Sequence, residues 1–194
     1  MEKYYSTRNT NDRVSFSTGV TRGLSPDGGL YVPESFTNID IYDEKYLKMS
    51  YQELAVDILS NFLDGYTKEE VTTFVSEAYG DNFETKDIVP VKTCDKVNFL
   101  ELFRGPTLAF KDMALQILPK FMVAAARKEG ITDEIVVLTA TSGDTGKAAL
   151  EGFSDVDKIK IVVFFPENGV SSIQKLQMKT TKGNPDTYFK SKSG

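Results

Sequence analysis

The chain has 194 residues, of which 40% are hydrophobic and 26% charged, and its formal net charge is −5. This composition is typical of a globular chain with one or two domains, and the absence of a basic stripe argues against nucleic acid as a partner. The chain contains no histidine and a single cysteine, so these residues cannot form a Ser-His-Asp triad, a Cys-His pair, a His-ligated metal site or an internal disulfide.

Neither a membrane segment nor an export signal is visible in the sequence. No apolar run approaches the ~20 residues that a membrane-spanning helix needs, and residues 1–8 lack the apolar core of a signal peptide. We therefore expect a cytoplasmic protein with no membrane partner. If it is an enzyme, its chemistry must use lysine, carboxylates, hydroxyls, backbone amides or an imported cofactor.

Turn signals dominate the first 40 residues. The run Ser-Pro-Asp-Gly-Gly at 25–29 supplies the fixed φ of proline and the positive φ of glycine that turns require. Residues 30–32 then predict a short strand, which ends at Pro33. Taken alone, this segment indicates a surface hairpin that only packs against its neighbours.

Two amphipathic helices are predicted next, each from a capping box in which two residues cap each other's backbone amide. The two boxes are Ser50–Glu53 and Thr67–Glu70, and Gly65 and Gly80 follow at the helix ends. Apolar residues recur at helical spacing in between, and nothing in these helices demands chemistry. We therefore interpret residues 1–88 as a small, mainly helical N-terminal domain, with the polar residues 81–90 at its boundary.

Strand-like and helix-like segments alternate from residue 89 onward. Strands are predicted at 91–94, 97–103, 134–139 and 159–165, and helices at 114–127, 148–153 and 171–181. Such alternation is typical of an α/β fold with a parallel sheet and right-handed crossovers, in which ligands bind at the carboxyl ends of the strands. Pro119 lies inside the predicted helix at 114–127, and it predicts a kink or a fresh helix start there.

Lys111 is the first candidate for chemistry. It lies where the apolar run at 97–103 gives way, through a Gly105-Pro106 break, to a helix-like segment. A lysine that is partly desolvated at such a junction becomes a better nucleophile or base. The alternative is that Lys111 is an ordinary solvated residue near a helix start, and the local pattern alone favours this alternative.

The second candidate is the turn Thr139-Ala-Thr-Ser-Gly-Asp-Thr-Gly146, which follows a predicted strand and opens the next helix. Backbone amides at the helix start, with the nearby hydroxyls, suit an anion such as a carboxylate or a phosphate. The alternative is a polar cap that only satisfies its own helix. The turn lacks the first glycine of a Walker A loop. It also contains Asp-Thr-Gly, the aspartic-protease triplet, but in an αβ context that does not suit that chemistry.

The two candidates suit one task. Lys111 would bond an aldehyde cofactor as a Schiff base, and the turn at 139–146 would hold the carboxylate of an amino acid stacked on it. Together, the motifs at residues 102–112, 140–149 and 26–33 resemble the threonine synthase family. Shorter matches, at residues 5–8 and 170–178, extend the resemblance over almost the whole chain.

The resemblance implies an enzyme that uses pyridoxal 5'-phosphate and has the fold of the tryptophan synthase β family. In such an enzyme, the mainly helical domain at 1–88 would be followed at 89–194 by the first part of a three-layer αβα parallel-sheet domain, truncated in this chain. Lys111 would be the Schiff-base lysine, and Asp144 would contact the cofactor ring beside its 3-hydroxyl. Three residues would bind the substrate carboxylate, namely Ser142, Gly143 and Thr145.

The reaction that the resemblance implies converts O-phospho-L-homoserine and water to L-threonine and phosphate. Phosphate leaves from Cγ and water adds at Cβ, while Lys111 moves protons and the cofactor withdraws electrons. The nearest rival is another lyase of the same cofactor class, such as a threonine dehydratase. The segment Asp27-Gly-Gly-Leu-Tyr-Val32 favours threonine synthase over this rival. No residue cluster predicts a metal site, and no feature indicates an oligomeric state.

Members of the family are considerably longer than this chain. The glycine-rich loop that holds the cofactor phosphate in the family would lie beyond residue 194, so we expect the chain to be a fragment that is inactive alone. The alternative from a different class is a non-catalytic remnant or a binding module.

Overall fold

The computed structural model describes residues 3–40, 42–141, 143–166, 169–180 and 187–191. The chain forms two compact units, the first made of Met1–Ala78 and Lys120–Thr132 and the second of Tyr79–Pro119 and Asp133–Gly194. The domain division that we predict at residues 88 and 89 stays a prediction. The first change of unit comes earlier than that, after Ala78, and residues 120–132 return to the first unit.

The first unit begins with a small antiparallel sheet and continues with helices. Its elements up to residue 78 are β1 (Tyr4–Ser6), β2 (Arg13–Val14), α1 (Phe16–Arg22), β3 (Tyr31–Pro33), a 3-10 turn (Tyr46–Lys48), α2 (Tyr51–Leu59) and α3 (Lys68–Ala78). β1 is the central strand, in the order β2-β1-β3, and Tyr4 pairs with both Val14 and Pro33. The strand predicted at 30–32 is therefore one of three strands and starts one residue later.

Both predicted capping boxes are present. The Ser50 hydroxyl accepts from the Glu53 amide at 3.2 Å, and Glu53 Oε2 accepts from the Ser50 amide at 2.8 Å. Thr67 and Glu70 form the same reciprocal pair, at 3.2 and 2.7 Å. Two orphan amides at each helix start are thus satisfied locally, which is why these starts could be predicted from four-residue patterns.

The core of the first unit contains a chain of aromatic rings. The Phe121 ring lies edge-on to Phe16 at 5.5 Å and to Phe74 at 5.9 Å between ring centroids. Tyr66 meets the same two rings, at 5.9 Å from Phe16 and 5.7 Å from Phe74. Edge-to-face pairs of this kind are worth about 0.5–1.5 kcal/mol each beyond the burial of their surface. Through Phe121, residues 120–132 are packed into the core of the first unit.

The remaining elements follow in chain order. They are β4 (Val91–Cys94), β5 (Val97–Leu100), α4 (Asp112–Leu115), α5 (Leu118–Lys128), β6 (Ile135–Ala140), α6 (Asp144–Phe153), β7 (Ile159–Pro166), α7 (Ser172–Lys179) and β8 (Thr187–Ser191). The single helix predicted at 114–127 is in fact two helices. Pro119 is the second residue of α5, so the fresh helix start predicted there is confirmed. Among the described residues, no helix is both long enough and apolar enough to cross a membrane.

The second unit contains a parallel sheet in the order β6-β7-β8. One face of β7 is buried through Ile161, Val163 and Phe165. α6 reaches this face because Gly146 has no side chain: a Cβ there would lie 3.1 Å from Val163 Cγ1 and 3.2 Å from the Sδ of Met178, in α7. The predicted fold class, a helix-rich N-terminal part followed by the start of an α/β parallel-sheet domain, is confirmed.

The strands predicted at 91–94 and 97–103 do not join the parallel sheet, and in this respect the prediction is wrong. β4 and β5 form an antiparallel hairpin of their own, with Val91 paired to Leu100. Only Asp95 and Lys96 separate the two strands, and Asp95 takes the positive φ of 54° that a tight hairpin turn needs. A parallel pair would need a crossover of a dozen or more residues. β5 also ends at Leu100 rather than at Phe103.

Candidate active site

The buried carboxylate of Asp112 closes the loop that contains Lys111. Asp112 has 0% of its surface exposed, and it accepts hydrogen bonds from the Thr107 backbone amide at 2.8 Å and the Thr107 hydroxyl at 2.6 Å. Gly105 lies against the same carboxylate, because a Cβ on this residue would be 2.6 Å from Asp112 Oδ2. Gly105, Thr107 and Asp112 therefore shape one tight loop around the residues between them.

The pKa of Asp112 depends both on its burial and on its hydrogen bonds from Thr107. Burial raises the pKa of the Asp112 carboxyl above its usual range, and the two hydrogen bonds from Thr107 act in the opposite direction. A carboxylate buried without partners would be costly. The Thr107 contacts reduce that cost, so the loop and the buried acid depend on each other.

Lys111 is the N-cap residue of α4 and is half-buried. Its Nζ lies 4.4 Å from the centre of the Phe110 ring, which is within the range of a cation–π contact. No carboxylate in the described ranges forms an ion pair with it. Residues 101–110 separate it from β5, which belongs to the hairpin, so the junction predicted at Lys111 joins a loop to α4 and not a strand of the parallel sheet to a helix.

Leu108 shows that this loop is strained. Its φ is 61°, a left-handed conformation that costs a leucine roughly 1–3 kcal/mol and that often marks functional loops. Leu108 is 66% exposed, so hydrophobic burial of its side chain does not offset the energy of the strained backbone. The loop closure by Thr107 and Asp112 is the interaction that can hold this conformation.

The turn predicted to bind an anion lies at the start of α6. The Thr141 hydroxyl accepts hydrogen bonds from the amides of Gly143 at 3.1 Å and Gly146 at 3.2 Å. The Thr141 hydroxyl therefore satisfies the Gly146 amide in the first turn of α6, whose N-cap residue is Gly143. The amides of Asp144 and Thr145 have no acceptor among the described residues. Ser142, predicted to bind the substrate carboxylate, lies outside the described residues.

Gln174 is a residue of this site that the sequence analysis missed. Its Nε2 donates a hydrogen bond of 2.6 Å to Asp144 Oδ1. The same side chain forms a capping box with Ser171 at the start of α7. A sequence signal was available, since Ser171 stands at the start of the predicted helix at 171–181 and a glutamine follows three residues later. The contact with Asp144, however, joins residues that are 30 positions apart.

One cavity of about 360 Å³ brings the two candidate motifs together. Residues 107–110, from the loop before Lys111, line one part of it. Asp144 and Lys147 line another part from α6, and Gln174 and Gln177 line a third from α7. Lys147 is held by an ion pair of 2.8 Å with Glu151, one turn along the same helix. Lys111 does not line the cavity itself but directly follows Phe110, which does.

Within the first unit, the N-terminal motifs of the resemblance, at residues 5–8 and 26–33, are joined by hydrogen bonds. The Asp27 carboxylate accepts from the Gly29 amide at 2.7 Å and from the Ser6 hydroxyl at 2.8 Å, and Arg8 donates to the Asp27 carbonyl at 3.0 Å. The Gly29 amide is the main cause that lowers the pKa of the Asp27 carboxyl, with a further contribution from Ser6. This turn is therefore fastened to β1 by its own polar groups.

Two groups at or beside the cavity bear on the predicted binding of pyridoxal 5'-phosphate. Asp144 lines the cavity and offers a carboxylate acceptor, whereas Lys111 follows the lining residue Phe110 without lining the cavity itself. The first-turn amides of α6 are donors that suit a carboxylate on the substrate. The roles predicted for Lys111, Ser142, Gly143, Asp144 and Thr145 stay predictions.

Comparison with known proteins gives a consistent set of similarities. The sequence family described as "Threonine synthase N terminus" matches residues 3–79. Threonine synthase of Pseudomonas aeruginosa is 36% identical over 185 residues, which are 94% of this chain and 39% of that protein. Threonine synthase of Schizosaccharomyces pombe is 35% identical over 95% of this chain and 38% of its own length. The chain thus spans about two fifths of the length of each of these two relatives.

A solved structure agrees with the sequence comparison. The crystal structure of PLP-bound threonine synthase from Brucella melitensis superposes with a TM-score of 0.86 at 35% identity. The superposition covers 97% of this chain and 40% of that chain. The similarity includes the candidate active site as well as the N-terminal residues.

Proposed function

Because the chain is similar over almost its whole length to the N-terminal portion of threonine synthases, we propose that it is the N-terminal part of such an enzyme. The proposed reaction is the conversion of O-phospho-L-homoserine and water to L-threonine and phosphate, a carbon–oxygen lyase reaction of threonine biosynthesis. The observation that carries the proposal is the shared cavity of the Lys111 loop and the Asp144 turn. These are two of the three motifs on which the resemblance rests.

The proposed cofactor is pyridoxal 5'-phosphate, with Lys111 as the residue that bonds it and Asp144 as the partner of its ring hydroxyl. When bound, this group supplies an electron sink beside the reacting carbons of an amino acid. Lys111 would then take up and return protons at Nζ. Its position inside the loop closed by Thr107 and Asp112 supports this role, because proton transfer needs a fixed distance.

Substrate binding is assigned to the turn at the start of α6. We propose that Ser142, Gly143 and Thr145 bind the carboxylate of the amino-acid substrate. The amides of Asp144 and Thr145, at the positive end of a helix of ten residues, would add to the attraction. Thr141, by contrast, already accepts two amides and is assigned a capping role.

Two further proposals concern the setting of the protein. A cytoplasmic location suits a biosynthetic enzyme whose substrate is a phosphorylated metabolite. The partner is a small molecule, and no oligomeric state is assigned. The similarity gives no support to a threonine dehydratase or to a binding module, since the relatives and the structure described above are threonine synthases.

The proposal is tested by locating the cofactor. In the full-length enzyme that we propose, borohydride reduction with pyridoxal 5'-phosphate bound should leave a pyridoxyl mass on the peptide that contains Lys111. The Lys111→Arg variant, which keeps the positive charge, should lose that label. A pyridoxyl mass on Lys147 or Lys92 in place of Lys111 would refute the assignment.

A further inference from the structure

Gln174 links the first turns of two helices that border the cavity. Its backbone amide donates to the Ser171 hydroxyl at 3.2 Å, and its Oε1 accepts from the Ser171 amide at 3.2 Å. Its Nε2 donates to Asp144 Oδ1 at 2.6 Å. A single side chain therefore uses its acceptor to cap α7 and its donor to hold the first residue of α6.

The turn before α6 is shaped to receive this side chain. A Cβ on residue 143 would lie 2.5 Å from Gln174 Nε2 and 2.7 Å from its Cδ. Any residue other than glycine would push the Gln174 amide away from Asp144. Gly143 is itself buried, so the two residues fill the same small space.

Asp144 needs an orienting partner because it is exposed. An exposed carboxylate rotates among several rotamers unless a hydrogen bond selects one of them. The Gln174 amide nitrogen can only donate, so it binds Asp144 as a hydrogen-bond acceptor. Oδ1 is engaged in this way, and Oδ2 remains as the second acceptor of a residue that lines the cavity.

We infer that Gln174 is a positioning residue: its amide fixes the Asp144 carboxylate at the cavity as a hydrogen-bond acceptor. The group that faces Asp144 must then be a donor, such as a hydroxyl or an ammonium. The value of this orientation for catalysis rests on the proposed function, whereas the orientation itself does not.

The Gln174→Glu variant separates the two tasks of this side chain. Glutamate is a favoured residue at the third position of a capping box, so the cap with Ser171 is kept. The amide donor is lost, and two carboxylates then face each other at neutral pH. We expect the peptide that contains residues 141–150 to exchange its amide hydrogens about 3- to 10-fold faster than in the parent chain, in proportion to the loss of one charge-assisted hydrogen bond at a partly exposed site.

Reversing the hydrogen bond should restore the turn. In the double variant Gln174→Glu with Asp144→Asn, the new asparagine amide can donate to the new glutamate carboxylate. Protection of residues 141–150, corrected for intrinsic exchange rates, should return to within about twofold of the parent chain. If Gln174 only filled space, there would be no loss of protection to rescue, because the side-chain volumes at positions 174 and 144 hardly differ among the variants.

The control variant is Gln177→Glu, which adds the same charge to the same cavity from the next turn of α7. It should leave the exchange of residues 141–150 unchanged. Exchange of the peptides from β6 and β7 serves as the internal reference for folding. The inference is overturned if Gln174→Glu exchanges like the parent chain, if its loss of protection extends equally to β6 and β7, or if the double variant stays as fast as the single one. None of these results depends on cofactor bonding at Lys111. The exchange experiment therefore tests the role of Gln174 independently of the proposed function.

Discussion

The carboxylate of Asp112 accepts both polar hydrogens of Thr107, the backbone amide at 2.8 Å and the hydroxyl at 2.6 Å. This pair encloses Lys111 in a short loop that also contains the left-handed residue Leu108. The backbone position of the candidate catalytic residue Lys111 is thus set by the buried carboxylate of its neighbour Asp112. Asp112 can have this role without contacting a ligand.

Thr107→Val should therefore destabilise the protein. Valine keeps the shape of threonine but removes the hydroxyl that donates to Oδ1 of the buried Asp112. Such a loss costs about 1–3 kcal/mol in the free energy of unfolding, measurable by urea denaturation followed by circular dichroism. Thr107→Ser, which keeps the hydroxyl, is the matched control and should lose markedly less. Equal stability of the valine variant and the parent chain would show that the contact is not needed.

Tyr4 provides a prediction on pH. Burial, helped by the negative charge of Asp64, raises the pKa of Tyr4 to about 12, and its hydroxyl donates to the Phe62 carbonyl at 2.7 Å. In an unfolded chain the phenol ionises near ~10, so the folded state binds this proton more tightly. The stabilisation from Tyr4 is complete below pH ~10 and is lost as the pH rises from there through about 12.

The measurement is the near-ultraviolet absorbance of tyrosinate during an alkaline titration. Tyr4→Phe should remove the latest part of the rise. Tyr42→Phe, which removes a ring that is 87% exposed, should leave that latest part in place. If the two variants give the same curve, Tyr4 is not protected in the way the structure describes.

The parts of the fold that could be predicted were those encoded over a few neighbouring residues. Both capping boxes and the fresh start at Pro119 depend on contacts within one helical turn, and the sequence pattern contains all of the partners. The hairpin of β4 and β5 was misassigned because apolar alternation identifies a strand but not its partner. The two-residue turn at Asp95 and Lys96 was the signal that should have decided it.

For the candidate site, the sequence indicates which segments to compare. Local motifs predict Lys111 and the turn at Asp144 as candidates, and one cavity is lined by residues from both segments, although not by Lys111 itself. The Gln174 contact was missed because it joins two helix starts that are separated by β7. No local pattern distinguishes a glutamine that caps its own helix from one that also holds a neighbouring helix. Such a contact follows from tertiary packing alone.

The turn before α6 separates a capping role from a binding role. Thr141→Ala removes the acceptor of two amides and should cost about 1 kcal/mol of stability, as for other lost helix caps. Thr141→Ser should restore most of this loss, because serine keeps the hydroxyl. Urea denaturation of the parent chain and both variants is the measurement. An alanine variant as stable as the parent would contradict the capping role.

Ser142→Ala tests the proposed binding role in the full-length enzyme. Loss of a hydrogen bond to a charged group costs about 1.5–3 kcal/mol, which corresponds to roughly 10- to 100-fold in kcat/KM for O-phospho-L-homoserine. The absorbance of the bound cofactor should stay as in the parent enzyme. Unchanged kcat/KM would mean that the turn only caps α6 and that the substrate carboxylate binds elsewhere.

A polypeptide of residues 1–194 should have no threonine synthase activity and should retain pyridoxal 5'-phosphate weakly. It spans 39% of the Pseudomonas aeruginosa relative, and within the described ranges we find no glycine-rich loop that would hold the cofactor phosphate. Lys111 would still react reversibly with the aldehyde, but little would fix the geometry of the bound group. Val136 and Leu138, which are 53% and 68% exposed on β6, also present an apolar sheet face that favours self-association.

The test combines phosphate release from O-phospho-L-homoserine with cofactor absorbance and sedimentation of the purified 194-residue chain. The complete Pseudomonas aeruginosa enzyme, assayed in parallel, is the positive control. Substitution of Leu138 by lysine should reduce self-association of the chain without creating activity, because the residue lies on the exposed sheet face. Turnover at about 1–10³ per second, the range of ordinary enzymes, would show that residues 1–194 contain a complete catalytic site. In that case the phosphate of the cofactor must be held by groups within this chain.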